Sequence, residues 1–208
     1  MRCYFVRHGE SEANKLAIIS NRGLRHGLTS LGEAQAAELG GRLAAMGVRD
    51  IYSSPLLRAR QTAEIVARAC QVSQVVVTDA LREFDCGVLE GRSDPDAWAR
   101  YRRLVEAWRV SRNYDAREPG GESFFDVRKR FVPFIRQFSS AAAEPGSAQA
   151  LVLVGHGGLF YLMLPLLLTN IDRDFPATHP LAHCSVVVAD AGPDGMVCIE
   201  WPGANLGH

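Results

Sequence analysis

The chain has 208 residues, of which 47% are hydrophobic, so it is long enough for one domain with a substantial core. Its 23 basic residues balance its 23 acidic ones, which gives no reason to expect nucleic acid or an anionic membrane surface as a partner. The longest apolar run, residues 159–168, is well below the roughly 20 residues of a membrane span and contains Pro165.

The cysteines and the N-terminal residues indicate a reducing compartment. The five cysteines are scattered without CxxC spacing, so neither a disulfide framework nor a cysteine metal site is indicated. Arg7 and His8 interrupt the only apolar stretch near the N-terminus, unlike the core of a secretory signal peptide. We therefore expect a cytoplasmic globular protein.

The first fourteen residues contain the most informative local pattern. Residues 3–6 are apolar throughout, which predicts a strand buried on both faces, as in a largely parallel α/β sheet. Arg7, His8 and Gly9 follow at once, and ligands of such sheets bind beyond the carboxyl ends of the strands. A guanidinium forks onto phosphate oxygens and an imidazole can be a base or a nucleophile, so the segment predicts chemistry on an anion.

The first half of the chain follows the order β-α-β-α-β. Ser30 and Glu33 fit a capping box at the start of a helix. Ser54 and Pro55 suit the N-cap and the first position of a second helix. The expected elements, typical of a doubly wound sheet, are a loop over 15–29, a helix from 30, a strand at 50–53, a helix over about 55–69 and a strand at 75–78.

The middle of the chain differs from this pattern. A loop over residues 79–92 leads to a helix near 94–112, and a Pro-Gly-Gly turn follows, with acidic and basic residues in balance. This segment is predicted to leave the sheet. We expect a single domain over residues 1–208, with an inserted helical cap segment at about 84–121.

The last part of the chain returns to the sheet. Ser123 and Asp126 fit the start of a helix with an apolar face, and Pro133 is expected to interrupt and bend that helix. The remaining expected elements are a strand at 150–154, an apolar helix from 159, and strands at 184–189 and 196–201. A Gly-Pro-Asp-Gly turn predicts that the last two strands form an edge hairpin, an edge at which a homodimer could pair.

Two histidines follow two strands of the expected sheet. His8 and His156 each stand beside glycine just after a strand, so parallel strands would bring them to the same edge. Arg58 falls in the first turn of a helix whose N-terminal amides favour an anion, and the set predicts a phosphate pocket. Paired histidines also suggest a metal site. Arg7 and Arg58 would repel a cation, and HxH or HxxxH spacing is missing, so no metal and no cofactor is expected.

Five blocks of the sequence occur in an order that carries a resemblance. They are Arg7-His8-Gly9-Glu10, residues 54–63 with Arg58, Leu81-Arg82-Glu83, Pro119-Gly120-Gly121-Glu122-Ser123 and Gly155-His156-Gly157-Gly158. Together, over nearly the whole chain, they resemble the histidine phosphatase superfamily of cofactor-dependent phosphoglycerate mutases and related phosphatases. The resemblance implies a three-layer α/β/α sandwich with a mostly parallel central sheet, and a phosphohistidine intermediate.

The resemblance also implies roles for individual residues. His8 would be the nucleophile that attacks phosphorus. Glu83 would be the general acid for the leaving oxygen and would then activate water as a carboxylate. The phosphoryl oxygens would be held by Arg7, Asn14, Arg58, His156 and the amide of Gly157.

Other assignments stay open from the sequence. Glu83 could pair with Arg82, which would leave Asp85 as the nearest acid, and Glu122 more often serves the structure than the chemistry. Family members often have Asn-x-Ser at positions 183–185, where this chain has His-Cys-Ser. The histidines expected in loops or at the surface are His26, His179, His183 and His208.

The short chain and its charge-balanced insert favour hydrolysis. We predict a metal-independent phosphatase that hydrolyses small phosphomonoesters through a phosphohistidine on His8. The alternatives are a phosphoglycerate mutase-type phosphoryl transferase and a non-catalytic phosphate-binding regulatory module. Arg25, His26 and residues 98–108 are the candidates for contact with the leaving group.

Overall fold

A computed structural model describes residues 1–141, 150–192 and 195–206. Within these residues six strands form one sheet in the order β3-β2-β4-β1-β5-β6. Neighbouring strands from β3 to β1 run parallel, and β5 and β6 are antiparallel to their neighbours. The strands are β1 (Arg2–Arg7), β2 (Val48–Ser53), β3 (Val75–Val77), β4 (Ala150–Gly155), β5 (Val186–Gly192) and β6 (Gly195–Glu200).

Seven α-helices accompany the sheet in the described residues. They are α1 (Glu12–Lys15), α2 (Ser30–Leu43), α3 (Leu57–Ala69), α4 (Pro95–Arg109), α5 (Phe124–Ala141), α6 (Gly157–Met163) and α7 (Phe175–Thr178). No helix in these ranges is long and apolar enough to span a membrane.

The two faces of the sheet are covered by different helices. Cys3 and Phe5 of β1 belong to a core cluster that includes residues of α4, α5 and α6. Tyr4 and Val6 belong to a second cluster with residues of α2 and α3. Alternate side chains of β1 therefore enter two separate cores, which confirms the strand buried on both faces and the three-layer α/β/α architecture.

The predicted capping box of α2 is wrong by one residue. Thr29 is the N-cap, because its hydroxyl accepts a hydrogen bond from Gly32 N at 3.1 Å, and Ser30 is the first helical residue. The Thr29 hydroxyl also donates to a carboxylate oxygen of Glu10 at 2.8 Å. The cap thus anchors the helix to the loop after β1, a tertiary contact that the local sequence does not show.

The start of α3 also differs from the prediction. The helix begins at Leu57, two residues after Pro55, and has no side-chain N-cap bond. The Ser54 hydroxyl lies 2.7 Å from a ring nitrogen of His156. Ser54 therefore belongs to the polar cluster after β4 instead of serving as the N-cap of α3.

Helix α5 passes through Pro133 without interruption, so that part of the prediction is wrong. Proline removes one backbone hydrogen bond, but Phe131 and Ile135 on either side are fully buried and hold the helix on the sheet. The predicted start is confirmed. Ser123 Oγ accepts from Asp126 N at 3.2 Å, and the Asp126 carboxylate accepts from the Ser123 backbone at 2.9 Å.

The last two strands form the predicted edge hairpin, with β6 at the edge. Pro193 and Asp194 of its turn lie outside the described residues, as does His208. In the middle segment, α4 contributes the buried Leu104 and Trp108 to the core cluster on its side of the sheet. The division into one domain with an inserted cap stays a prediction.

Candidate active site

The parallel pair β1 and β4 brings two histidines together. Arg7 pairs with Gly155 in register, and the residue that follows each of them is a histidine. The rings of His8 and His156 have centroids 5.1 Å apart, and both side chains are buried. The prediction that both emerge at one edge of the sheet is confirmed.

The hydrogen bonds of His8 define its tautomer. Its Nδ1 lies 2.7 Å from the carbonyl oxygen of Gly9, which can only accept, so Nδ1 carries the proton. Arg58 Nε donates to His8 Nε2 at 3.1 Å, so Nε2 presents a lone pair. Burial and the charge of Arg58 lower the pKa of His8 well below its usual value. His8 is therefore a neutral imidazole with an unprotonated Nε2.

Arg58 connects the two histidines at the first turn of α3. Besides His8, it donates to Ser20 O at 2.8 Å and to His156 Nδ1 at 3.3 Å. Burial lowers the pKa of Arg58 to about 10, which still leaves it positively charged at neutral pH. Its partners are a carbonyl oxygen and two imidazoles, so its charge is not neutralised by a carboxylate in direct contact.

His156 is the second histidine that accepts a hydrogen bond from Arg58. Because Arg58 can only donate, Nδ1 of His156 is an acceptor and Nε2 donates to Ser54 Oγ at 2.7 Å. Burial lowers its pKa well below the usual value, so it is neutral. Its side chain is fully buried and does not line the cleft. A direct phosphate contact, as the resemblance implies, would require one of these two bonds to break.

Arg7 has a donor without a partner. Its terminal nitrogens donate to Leu181 O at 2.6 Å and to His183 Nε2 at 3.0 Å. Its Nε is the one buried side-chain N or O atom without a hydrogen bond among the described residues. A Cβ at Gly157 would lie 3.2 Å from this Nε, so glycine there keeps the space beside it open. An anion in the cleft would satisfy the buried donor.

His183 is a site residue that the sequence analysis missed, since it was expected in a loop or at the surface. It is half-buried, it accepts from Arg7, and its ring centroid is 6.0 Å from that of His8. Burial and the charge of Arg7 lower its pKa to about 4. The one signal in the sequence was the departure from Asn-x-Ser at positions 183–185.

Glu83 is the acid that lines the cleft beside these residues. Its oxygens accept from Phe84 N at 3.1 Å and from Gly158 N at 2.9 Å. Burial raises its pKa, although these two amides and the charge of Arg58 oppose the shift. A Cβ at Gly158 would lie 2.9 Å from both carboxyl oxygens, so only glycine allows this close contact.

The alternative assignments of the neighbouring acids are not supported. Arg82 lies 3.3 Å from Glu122 and 3.7 Å from Asp85, and Glu83 is not its partner. Asp85 pairs with Arg22 at 2.8 Å and does not line the cleft. Asp85 and Glu122 therefore serve the structure of the loop.

Glu122 and Arg130 fasten the loop that carries Glu83. Arg130 Nε donates to Glu122 at 2.8 Å, and its other nitrogens donate to the carbonyl oxygens of Ala80 at 3.1 Å and Glu83 at 3.4 Å. Glu122 also accepts from Asp85 N at 2.8 Å. Burial alone would raise the pKa of Glu122, but the bonds and charge of Arg130 lower it, so it stays ionised.

Asn14 lies at the rim of the cleft and is exposed. Its Oδ1 accepts from Ser11 N at 3.1 Å in the cap of α1, so the other atom of the amide is the donor Nδ2. His179, expected at the surface, also lines the cleft, and its ring stacks on Phe175 at 4.2 Å. His26 bonds to Ser20 Oγ at 2.9 Å outside the cleft lining.

The cleft has a volume of about 650 Å³ and two unlike ends. Arg7, Arg58 and Glu83 line the end beside His8. Mainly aromatic and aliphatic side chains line the outer end, together with the charged α4 residues Arg102, Glu106 and Arg109. Of the predicted leaving-group contacts, Trp98 and Val105 line this outer part, whereas Arg25 and His26 do not.

A family model of the histidine phosphatase superfamily, branch 1, matches residues 3–202, and the chain belongs to this superfamily. Among its relatives, the probable phosphoglycerate mutase GpmB of Proteus mirabilis is 38% identical over 161 residues, covering 76% of this chain and 70% of the relative. The corresponding protein of Salmonella paratyphi B is 34% identical over 160 residues, with the same coverage.

Solved structures share the fold over nearly the whole chain. A mycobacterial glucosyl-3-phosphoglycerate phosphatase in complex with VO3 has a TM-score of 0.79 at 29% identity, covering 98% of this chain and 99% of the other. YhfR of Bacillus stearothermophilus has a TM-score of 0.79 at 23% identity, covering 98% and 97%. The named relatives thus include both phosphatases and mutases.

Proposed function

We propose that the protein is a metal-independent phosphatase that hydrolyses phosphomonoesters through a phosphohistidine on His8. The observation that carries this proposal is the arrangement around Nε2 of His8. This nitrogen is unprotonated and accepts from the buried Arg58, and the half-buried Arg7 lines the same cleft; the partners of both guanidinium groups are uncharged. The inner cleft therefore has a nucleophile and an unbalanced positive charge that suits a phosphate group.

In the first step, His8 Nε2 attacks phosphorus in line, and the bond from phosphorus to the ester oxygen breaks. Arg58 transfers its Nε hydrogen bond from His8 to a phosphoryl oxygen, and the free Nε of Arg7 binds another. Glu83 in its protonated form gives the leaving oxygen a proton. Its raised pKa favours that form, and burial is the main cause.

The phosphorylated ring keeps its proton on Nδ1 and becomes positively charged. The carbonyl oxygen of Gly9, 2.7 Å from Nδ1, stabilises this charge. In the second step, the Glu83 carboxylate takes a proton from water while the water oxygen attacks phosphorus. The bond from phosphorus to Nε2 breaks, phosphate leaves, and His8 and Glu83 return to their starting forms.

The remaining site residues have supporting roles in this mechanism. Asn14 Nδ2 and the Gly157 amide supply further donors at the cleft. His156 orients Arg58 by accepting its hydrogen bond, and His183 does the same for Arg7. Both can do so only as neutral imidazoles, which agrees with their lowered pKa values.

A phosphoglycerate mutase activity is the second candidate, because relatives up to 38% identical are named as probable mutases. A mutase must hold the carboxylate of its substrate with a cation. On α4, Arg109 is already engaged with Asp174 at 3.2 Å and lies over the ring of Tyr161. Arg102 is exposed, and Glu106 follows it on the same helix. This arrangement supports hydrolysis over mutase activity.

The test is release of inorganic phosphate from an aryl phosphate in the presence of a metal chelator. We expect wild-type activity to persist with chelator and to be lost in His8→Ala. His26→Asn is the matched control, because His26 lies outside the cleft lining and asparagine tolerates its positive φ of 59°. Loss of wild-type activity on chelation, or equal activity in His8→Ala, would contradict the proposal.

A further inference from the structure

The outer part of the cleft is built from apolar side chains. It extends from the phosphate end between the loop after α1, helix α4, helix α6 and the segment before β5. The side chains that define it are Ile18, Trp98, Tyr101, Val105, Tyr161 and Leu181. The ester part of a phosphomonoester bound at His8 would have to occupy this space.

An aromatic row leads outward from the acid. Phe84, next to Glu83 in the chain, stacks with Tyr101 at a centroid distance of 5.3 Å and an interplanar angle of 25°. Tyr101 then meets Trp98 edge-on at 5.2 Å. The row begins beside the carboxyl group that would protonate the leaving oxygen. It therefore offers a packing surface to the atoms attached to that oxygen.

Two indole nitrogens and one guanidinium group that line the outer cleft are already engaged. The indole nitrogen of Trp98 donates to Ala17 O at 2.7 Å, and that of Trp201 donates to His179 O at 2.9 Å. Arg109 is engaged by an acidic side chain and a tyrosine ring, as described above. The outer cleft thus presents carbon surface, with Arg102 and Glu106 of opposite charge on exposed positions of α4.

We propose that the substrate is a phosphomonoester with an uncharged, mainly hydrocarbon leaving group that packs against Trp98, Tyr101 and Val105. This inference rests on the proposed phosphatase function and names its substrate class. Removal of apolar surface from water supplies the binding free energy. A leaving group with a carboxylate or a second phosphate would lose its hydration against this carbon surface, since Arg102 lies at an exposed position of α4 and Arg109 is paired with Asp174.

A series of n-alkyl phosphates from ethyl to hexyl tests this proposal. The leaving alcohols have nearly equal pKa values, so a change in kcat/KM along the series reports contact with the chain and not leaving-group chemistry. We expect kcat/KM to rise by about threefold to fourfold per methylene until the cleft is filled. Concentrations are kept below the onset of micelle formation. A flat series, or faster turnover of 3-phosphoglycerate than of hexyl phosphate, would overturn the proposal.

Substitutions of side chains that line the outer cleft test which of them cause the rise of kcat/KM with chain length. Val105→Phe adds bulk inside the cleft, so the rise should stop at a shorter chain. Trp98→Ala should flatten the rise, whereas Trp98→Phe keeps the aromatic face, loses only the bond to Ala17 and should retain most of it. Phe125→Ala is the matched control, because Phe125 is 43% exposed and lies outside this cleft. A rise that is unchanged in both Val105→Phe and Trp98→Ala would overturn the assigned wall.

The outcomes separate this inference from the function on which it rests. If no phosphomonoester, aryl or alkyl, releases phosphate in the wild-type protein, the phosphatase proposal fails. If aryl phosphate is hydrolysed through His8 but alkyl chain length has no effect, the phosphatase proposal stands and the substrate class is wrong.

Discussion

At the scale of single residues, Glu83 is held in a position that suits both of the protonation states that the proposed mechanism requires. Two backbone amides, of Phe84 and Gly158, bind its oxygens and favour the carboxylate, while burial favours the neutral acid. The net effect is a raised pKa. A carboxyl group of this kind can donate a proton in one step and accept one in the next.

Glu83→Gln removes this proton and should affect substrates unequally. We expect kcat/KM for an alkyl phosphate to fall roughly 10²- to 10⁴-fold, because an alkoxide is a poor leaving group. For a nitrophenyl phosphate the fall in kcat/KM should be much smaller, because its leaving group departs without a proton. Steady-state kinetics with both substrates measures the ratio of their kcat/KM values. Asp85→Asn is the control and should leave the ratio unchanged; equal losses on both substrates in Glu83→Gln would argue against acid catalysis.

At the scale of elements, the Arg130–Glu122 pair connects helix α5 to the loop that carries Glu83. Arg130 donates to carbonyl oxygens of that loop, including those of Ala80 and Glu83 itself. Neither Arg130 nor Glu122 lines the cleft. In the proposed mechanism their role is therefore to position Glu83.

Arg130→Met should displace Glu83 while leaving the phosphate-binding groups in place. We expect kcat/KM for an alkyl phosphate to fall about 10- to 100-fold, with a smaller change in kcat/KM for nitrophenyl phosphate. The readout is again the ratio of kcat/KM for the two substrates. A general loss of stability would not change this ratio. Arg128→Met changes an exposed arginine of the same helix and serves as the control. A uniform loss on both substrates would mean that the pair only supports the fold.

The elements also show how far the sequence could predict the structure. Strands β1 and β4 and the histidines after them were predictable, because buried apolar runs and the polar residues that end them are local patterns. The caps of α2 and α3 were not, because Thr29 and Ser54 are placed by partners distant in the chain. His183 was missed for the same reason. It lies in a loop without a pattern of its own, and the pairing of β5 with β1 brings that loop to Arg7.

At the scale of the whole molecule, three neutral imidazoles link the candidate active site to the pH dependence of stability. Burial is the main cause of the lowered pKa values of His8, His156 and His183. Below the usual histidine value of 6.5, the unfolded chain takes up protons that the folded chain refuses. Their contribution to stability is therefore complete above that pH and is lost as the pH falls below it, and for His183 the loss extends toward its folded pKa of about 4.

We accordingly expect the free energy of unfolding to decrease between pH 7 and pH 5. Glu83 has a raised pKa and opposes this trend, since its folded form binds a proton more readily than the unfolded one. Denaturant unfolding at a series of pH values measures the slope of the free energy of unfolding against pH. His183→Asn removes one of the three groups and should make the slope shallower. An identical slope in wild type and His183→Asn would contradict the neutral state of His183 in the folded protein.

The proposed mechanism requires the phosphoryl group to pass through His8. The most direct measurement is rapid quenching of Glu83→Gln mixed with nitrophenyl phosphate. This variant should still form the phosphoenzyme, because the leaving group needs no proton, but it should hydrolyse it slowly, because water is not activated. We expect a burst of nitrophenol equal to the enzyme concentration and a phosphoryl group on His8 by mass spectrometry after an alkaline quench. Release of nitrophenol in step with inorganic phosphate, with no phosphoryl group on His8, would contradict the mechanism.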